Sequence, residues 1–260
     1  MPAVPMSTPL SLSVVIITFN EAHNLPRCLA ALHGLGATDV LVLDSGSTDD
    51  TREIAAAWGA RVEVQPFRGY VAQKNRATEL ARHEHVLQLD ADEELTEELR
   101  QEIRATLADW RAPAYALPRL TNYCGQWVRH GGWYPDWQTR LYDRRCGQWQ
   151  GELLHERFAP TDGTAPLRLR ADLHHYSYPT IADHWQQLDR FTTLGATQLR
   201  QRGQKATWAH LLLKPVWKFV HGYGLRAGFL DGFAGLSIAV LSSVGVFLKY
   251  AKLRMGEKPV

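Results

Sequence analysis

The chain has 260 residues, 45% hydrophobic and 22% charged, which fits a folded globular protein and excludes a disordered or fibrous one. That length suits one large α/β domain or a domain with an appendage. A net charge of +2, with no long basic run before the C-terminal third, argues against a nucleic-acid binder. Residues 1–12 read as an extended or disordered lead. Met1 to Leu10 have neither a basic n-region nor an apolar h-region, so no secretory signal is expected and the cytoplasm is the expected compartment. Apolar runs then recur at residues 13–18, 40–43, 62–64 and 86–89. Segments of helical spacing separate them, at about 24–33, 50–58, 70–82 and 96–110. Continuous Val/Ile/Leu runs alternating with helices predict a mostly parallel sheet covered on both faces. In such sheets ligands sit beyond the carboxyl ends of the strands.

The polar residues at those ends are Thr18-Phe19-Asn20-Glu21, then Asp44-Ser45-Gly46-Ser47-Thr48-Asp49-Asp50, then Asp90-Ala91-Asp92. No Gly-x-Gly-x-x-Gly follows a strand and no Walker-type loop occurs, which disfavours a dinucleotide site and a P-loop. In extended chain, residues two apart share a face, so Asp90 and Asp92 can point together. Paired carboxylates repel unless a cation neutralises them, and hard oxygen ligands suit Mg²⁺ or Mn²⁺. The alternative is a helix N-terminus, where acidic residues before Leu95 would favour the following helix.

From Tyr115 to Tyr178 the pattern is irregular and rich in Trp, Tyr, Arg and His, which suits a concave site for a sugar. For most of Trp127, Trp133, Trp137 and Trp149 an aromatic core is the stronger reading. Asp136 and Trp137 are candidates for an acceptor sugar, and His174-His175 for a structural or acceptor-side role. Cys28, Cys124 and Cys146 show no Cys-x-x-Cys spacing, which argues for a reducing compartment, and Cys124 and Cys146, with no evident activating partner, are expected to be buried thiols rather than nucleophiles. After Ala206 the composition becomes apolar, with Lys214 and Lys218 on one helical stripe. Residues 232–248 carry no charge and are followed by Lys249, Lys252 and Arg254. Such a helix is about 25 Å long, short of the ~30 Å hydrocarbon core. Basic flanks and aromatic anchors favour lying on an anionic membrane surface over spanning it. The competing reading is a helical hairpin packed on the catalytic domain or in a dimer.

Taken in order, these motifs resemble a family 2 glycosyltransferase of the GT-A fold, over about residues 13–158. Val14-Val15-Ile16-Ile17-Thr18-Phe19-Asn20-Glu21 resembles the opening strand, whose Thr18, Asn20 and Glu21 positions line the nucleotide pocket. Leu43-Asp44-Ser45-Gly46-Ser47-Thr48-Asp49 is similar to the second-strand signature, and the resemblance implies that Asp44 holds the base. Residues 69–77 resemble the segment whose basic residue, here Lys74, reaches the diphosphate. Asp90-Ala91-Asp92 matches the Asp-x-Asp, with Asp92 expected on the metal and Asp90 on ribose or metal-bound water. Gln138-Thr139-Arg140-Leu141-Tyr142, Gly151-Glu152-Leu153-Leu154-His155-Glu156 and Gly228-Phe229-Leu230-Asp231-Gly232 look like the subgroup that builds lipopolysaccharide cores.

The resemblance implies inverting transfer, with Mg²⁺ or Mn²⁺, from a UDP-sugar to a lipid-anchored acceptor. The favoured sugar is glucose and the favoured acceptor the lipopolysaccharide inner core. Glu156 is the candidate base, Arg140 a further diphosphate contact, and His155 a metal or diphosphate contact or a structural histidine. Many relatives carry Glu-Asp where this chain has His155-Glu156. The expected layout is a catalytic domain over 13–205, with a nucleotide-binding half at 13–110 and an acceptor-side half at 111–205. A helical appendage over 206–260 would keep the enzyme peripheral on the cytoplasmic face of the inner membrane. Transfer to polyprenyl phosphate or a capsule chain is the second enzymatic reading. A non-catalytic nucleotide-sugar binder is the reading of another class.

Overall fold

Strands β1 (Leu12–Thr18), β2 (Asp39–Asp44), β3 (Arg61–Val64) and β4 (His85–Asp90) fall on the four apolar runs. Helices α1 (Leu25–Ala30), α2 (Thr51–Trp58) and α3 (Tyr70–Leu80) lie between them. The structure, a computed structural model, describes residues 10–151 and 156–256. The four strands pair in parallel in the order β3-β2-β1-β4. Register aligns Thr18 with Asp44 and Ile17 with Asp90, so three strands finish level at one edge. Alternation along β1 explains the two-sided burial. Val14 and Ile16 pack with Leu25 and Leu29 of α1, while Val15 packs with Leu43, Val86 and Ala77 on the other face.

Past Asp90 the chain makes a short strand, β5 (Glu93–Leu95), before α4 (Glu97–Ala108). Thr96 caps α4, its hydroxyl accepting from Leu99 N at 3.1 Å, and Glu97 and Glu98 fill the first turn. The helix-cap role thus belongs to residues 96–98, and Asp90 and Asp92 lie a strand upstream.

The irregular stretch is built of strands: β6 (Ala114–Tyr123), β7 (Gln126–Val128), β8 (Asp136–Asp143), β9 (Gly147–Gln150), β10 (Arg157–Pro160), β11 (Leu167–Arg168) and β12 (Leu173–Tyr178). β8 joins β4 antiparallel and the sheet continues β8-β6-β12-β5, while β9 and β10 form a separate hairpin. The sheet is therefore mixed: parallel from β3 to β4 and mainly antiparallel beyond. Trp149 is buried core, donating Nε1–H to Tyr142 Oη at 3.0 Å, and Tyr142 stacks on Phe158.

By contact the chain divides into one unit of residues 10–119 and 136–175 and another of residues 120–135 and 176–256. The second unit holds β7, α5 (Ile181–Gln201), α6 (Trp208–Phe219), a π-helical turn at Val220–Leu225, a 3₁₀ turn at Gly228–Asp231, and α7 (Gly232–Met255). A division at residue 205 would separate α5 from α7, but the two pack together: Gly245 lies against Leu188, and Lys252 bonds to Asp189. Within this unit Asp231, 5% exposed, accepts from Arg129 N (3.3 Å), His130 N (2.8 Å) and His130 Nδ1 (2.7 Å). Val128 and Trp133 pack beside Ile238 of α7. At 24 residues α7 is about 36 Å long, and residues 228–255 are long and apolar enough to cross a membrane.

Candidate active site

The level strand ends of the first unit support a set of loops stitched to one another. Asn20 adopts φ +55°, a left-handed conformation that asparagine tolerates better than most residues. Its Oδ1 accepts from Thr48 N at 2.8 Å, and its own N–H donates to Ser47 Oγ at 2.8 Å. Glu21 N donates to Thr51 Oγ1 at 2.8 Å. The loops after β1 and β2 therefore hold each other in place.

Asp44 is fully buried and its carboxylate is filled by its own loop. Oδ1 accepts from Gly46 N (2.9 Å) and Ser47 N (2.8 Å), and Oδ2 from Thr18 Oγ1 (2.9 Å) and Ser47 Oγ (2.5 Å). Thr18 and Asp44 thus pin the ends of β1 and β2 to the loop that follows β2. Ser45, the next residue, accepts from Gln73 Nε2 at 3.0 Å, a contact the sequence did not suggest.

At the end of β4 the acidic pair is split between two sets of partners. Asp90 is ion-paired with Arg140 and lies 3.3 Å from Lys74 Nζ. Arg140 also binds Glu93 at 2.5 Å, and both side chains are wholly buried. Arg119 joins Glu93 (3.3 Å) to Asp136 (2.6 Å). Lys74 sits over the Trp149 ring at 4.7 Å and reaches Glu156 Oε1 at 3.2 Å. One ammonium therefore ties the Asp-x-Asp to the candidate base. Asp92 Oδ2 meets His175 Nε2 at 3.2 Å, because β12 pairs with β5 and sets His175 opposite Glu93. Arg140 is engaged with carboxylates, so the structure makes it a support beneath the site rather than a side chain extended towards a diphosphate. His155 lies outside the described residues.

These contacts set the protonation states. Burial would raise the Asp90 carboxyl, but Arg140 and Lys74 outweigh it and hold it well below the usual range. Burial is likewise overcome at Asp92, where His175 lowers the carboxyl. Glu21 has no such cation. Burial and the charges of Asp92, Asp90 and Asp49 push it up to about 6, against a hydrogen bond from Asn24.

Five carboxylates (Asp90, Asp92, Glu93, Asp136 and Glu156) face three cations (Lys74, Arg119 and Arg140) in this network. Among the described residues no three His, Cys, Asp or Glu side chains group to hold a metal alone. A small divalent ion bound through one or two carboxylates, with phosphate oxygens and water, needs no such group. Two buried polar atoms here, Asp90 Oδ1 and Arg140 Nε, lack hydrogen bonds, and Asp90 Oδ1 is held by its ion pair with Lys74 at 3.3 Å. The residual negative charge of the network suits such an ion.

Sequence reasoning missed Glu93 and Arg119, and it singled out His175 without its partner Asp92. Buried ion pairs look like surface charges in a sequence. For His175 the signal was its place in a short strand facing an acidic one.

An α/β sheet with polar loops gathered at the carboxyl ends of its strands is the arrangement in which enzymes of this class bind their ligands. The sequence profile of Glycosyl transferase family 2 matches residues 13–161, and the chain belongs to that family. An uncharacterised glycosyltransferase of Rickettsia prowazekii is 30% identical over 253 residues, 94% of this chain and 86% of its own. Lipopolysaccharide core biosynthesis glycosyltransferase LpsC of Rhizobium meliloti is 28% identical over 259 residues, 94% of this chain and 92% of its own. Among solved structures, S. aureus TarS 1–349 in complex with UDP-GlcNAc aligns over 94% of this chain and 93% of its own, at 14% identity and TM-score 0.49.

Proposed function

We propose that this chain is an inverting glycosyltransferase that moves a sugar, glucose being favoured, from a UDP-sugar to a lipid-anchored saccharide of the lipopolysaccharide inner core. The observation that carries the reading is the Asp90–Lys74–Glu156 chain, which couples a cation-binding acidic pair to a carboxylate suited to base catalysis. The relatedness to LpsC supports the acceptor class. A lipid-anchored acceptor places the enzyme at a membrane, and we assign that contact to the C-terminal helices on the cytoplasmic, anionic face of the inner membrane.

In this mechanism the loops around Thr18, Asn20, Asp44 and Ser45 cradle the nucleoside. Asp92, with Asp90 beside it, would hold Mg²⁺ or Mn²⁺, which as a Lewis acid stabilises the charge that develops on the leaving diphosphate. Arg140 and Arg119 keep Asp90 and Glu93 ionised and in position. Lys74 takes Glu156 Oε1 and leaves Oε2 for the acceptor hydroxyl. The hydroxyl oxygen attacks the anomeric carbon as the bond to UDP breaks, and its proton passes to Glu156.

Glu156→Gln is expected to retain UDP-sugar binding in calorimetry and lose at least ~100-fold in turnover, the scale of general-base catalysis. Turnover near wild type would remove Glu156 from the mechanism. Asp92→Ala is expected to abolish the divalent-dependent part of UDP affinity, and an unchanged metal dependence would refute the cation site. Products extracted from membranes separate the acceptors: label in core lipid supports the proposal, and label in polyprenyl phosphate overturns its acceptor assignment. No UDP release with any acceptor would mark a non-catalytic binder.

A further inference from the structure

Helix α6 faces solvent with its apolar side. It packs inward through Leu211 and Pro215, while Leu212, Leu213, Val216 and Trp217 are 59–68% exposed. At 3.6 residues per turn, Ala209, Leu212, Leu213, Val216, Trp217 and Val220 cover an arc of about 140° with no polar residue in it. His210 borders that arc, Lys214 lies about 60° past its edge, and Lys218 lies on the opposite side of the helix. In the same unit Phe229, Leu230 and Phe233, around the start of α7, are 52–74% exposed. Apolar side chains do not collect outside a folded unit without something to cover them.

The charge says what covers them. Residues 190–256 contain ten Lys or Arg and a single acidic residue, Asp231, which is itself buried and hydrogen-bonded. The rest of the chain has nineteen cations against twenty-six carboxylates. A cationic surface with an apolar centre complements an anionic lipid leaflet, and two copies of it would repel each other.

The position of α7 decides between lying on the bilayer and crossing it. Lys252 is 7% exposed. Its ammonium donates to Asp189 O (3.0 Å), Asp189 Oδ1 (2.6 Å), Thr192 Oγ1 (3.0 Å) and Thr193 Oγ1 (2.7 Å), all on α5. Ser243 Oγ donates to Pro215 O (2.8 Å), and Lys214 Nζ to Tyr250 Oη (2.7 Å), on the α6 side. Crossing a bilayer would strip α7 of these bonds to α5 and α6, which a polar hydroxyl and two lysines make there.

We infer that the exposed face of α6, with the Phe229–Phe233 turn, is a monotopic docking surface for an anionic lipid leaflet, and that α7 is a helix packed on α5 and α6 rather than a span. This deepens the membrane contact proposed above and rests on it.

The test uses the full chain with vesicles of phosphatidylcholine alone or mixed with phosphatidylglycerol. Wild type is expected to sediment with the mixed vesicles, to be released by high salt or alkaline carbonate, and to ignore neutral vesicles. L213D/W217D is expected to lose at least ten-fold in partitioning, and K205Q about five-fold. Calorimetric UDP binding by L213D/W217D should match wild type, which shows that it is folded and keeps this inference separate from sugar transfer. The inference is overturned by absence of vesicle binding, by undiminished binding of L213D/W217D, or by retention in carbonate, which marks a span. A wild-type dimer that L213D/W217D dissolves, with no lipid partition, assigns the face to a second copy and overturns it as well.

Discussion

Glu21 and Asp92 carry like charges at one strand edge, and their neighbours decide which of them stays ionised. His175 holds Asp92 low, whereas burial and nearby carboxylates raise Glu21 to about 6 from its ordinary 4.5. A carboxyl raised in the folded state binds its proton more tightly there than in the unfolded chain. Its contribution to stability is therefore full below pH 4.5 and lost as pH rises through 6. Carboxyl-carbon NMR is expected to show Glu21 titrating near pH 6, and Asp92→Asn to move that midpoint down by removing a repelling charge. A midpoint indifferent to Asp92→Asn would mean that the two do not sense each other. Asp44 shows a limit of motif reading at this scale. Its sequence neighbours suggest a side chain waiting for a base, yet two backbone amides and two hydroxyls fill it. The turn-forming Asp-Ser-Gly-Ser string was the available clue.

Glycine decides how closely elements of the second unit approach. A Cβ on Gly235 would stand 1.9 Å from the Gly228 carbonyl oxygen and 3.1 Å from Asp231 Cβ. Gly235→Ala is expected to cost about 1–3 kcal/mol in urea unfolding, the range for overpacking, and a loss below ~0.5 kcal/mol would mean that the turn yields freely. Elements were legible where their pattern was simple. β1, β2 and β4 are uninterrupted apolar runs buried on both faces, and their predicted limits fall within a residue or so of the observed ones. β6, β8 and β12 were not recognised, because buried Arg140 and half-buried Arg119 and His175 break the apolar alternation that marks a strand. Their polarity is part of the site, so the feature that hid the strands is the one that builds the network.

Across the whole molecule the chain enters the second unit, leaves it and returns. Residues 120–135 belong with 176–256, while 136–175 belong with the N-terminal unit. A protein cut after His175 is expected to keep its first-unit core and expose Tyr123, Val128 and Trp133, whose packing partners include Ala234 and Ile238. Limited proteolysis should then cleave first between residues 120 and 135, and resistance there would show that the segment is stable without its partners. The same threading sets a timetable for synthesis. His130 and Asp231 stand 101 residues apart, so at ~5–20 residues per second the ribosome delivers the carboxylate about 5–20 s after the amides it will accept from. For that interval the nascent hairpin has an apolar flank and no aspartate to tie it down, which leaves it open to a chaperone until Asp231 arrives.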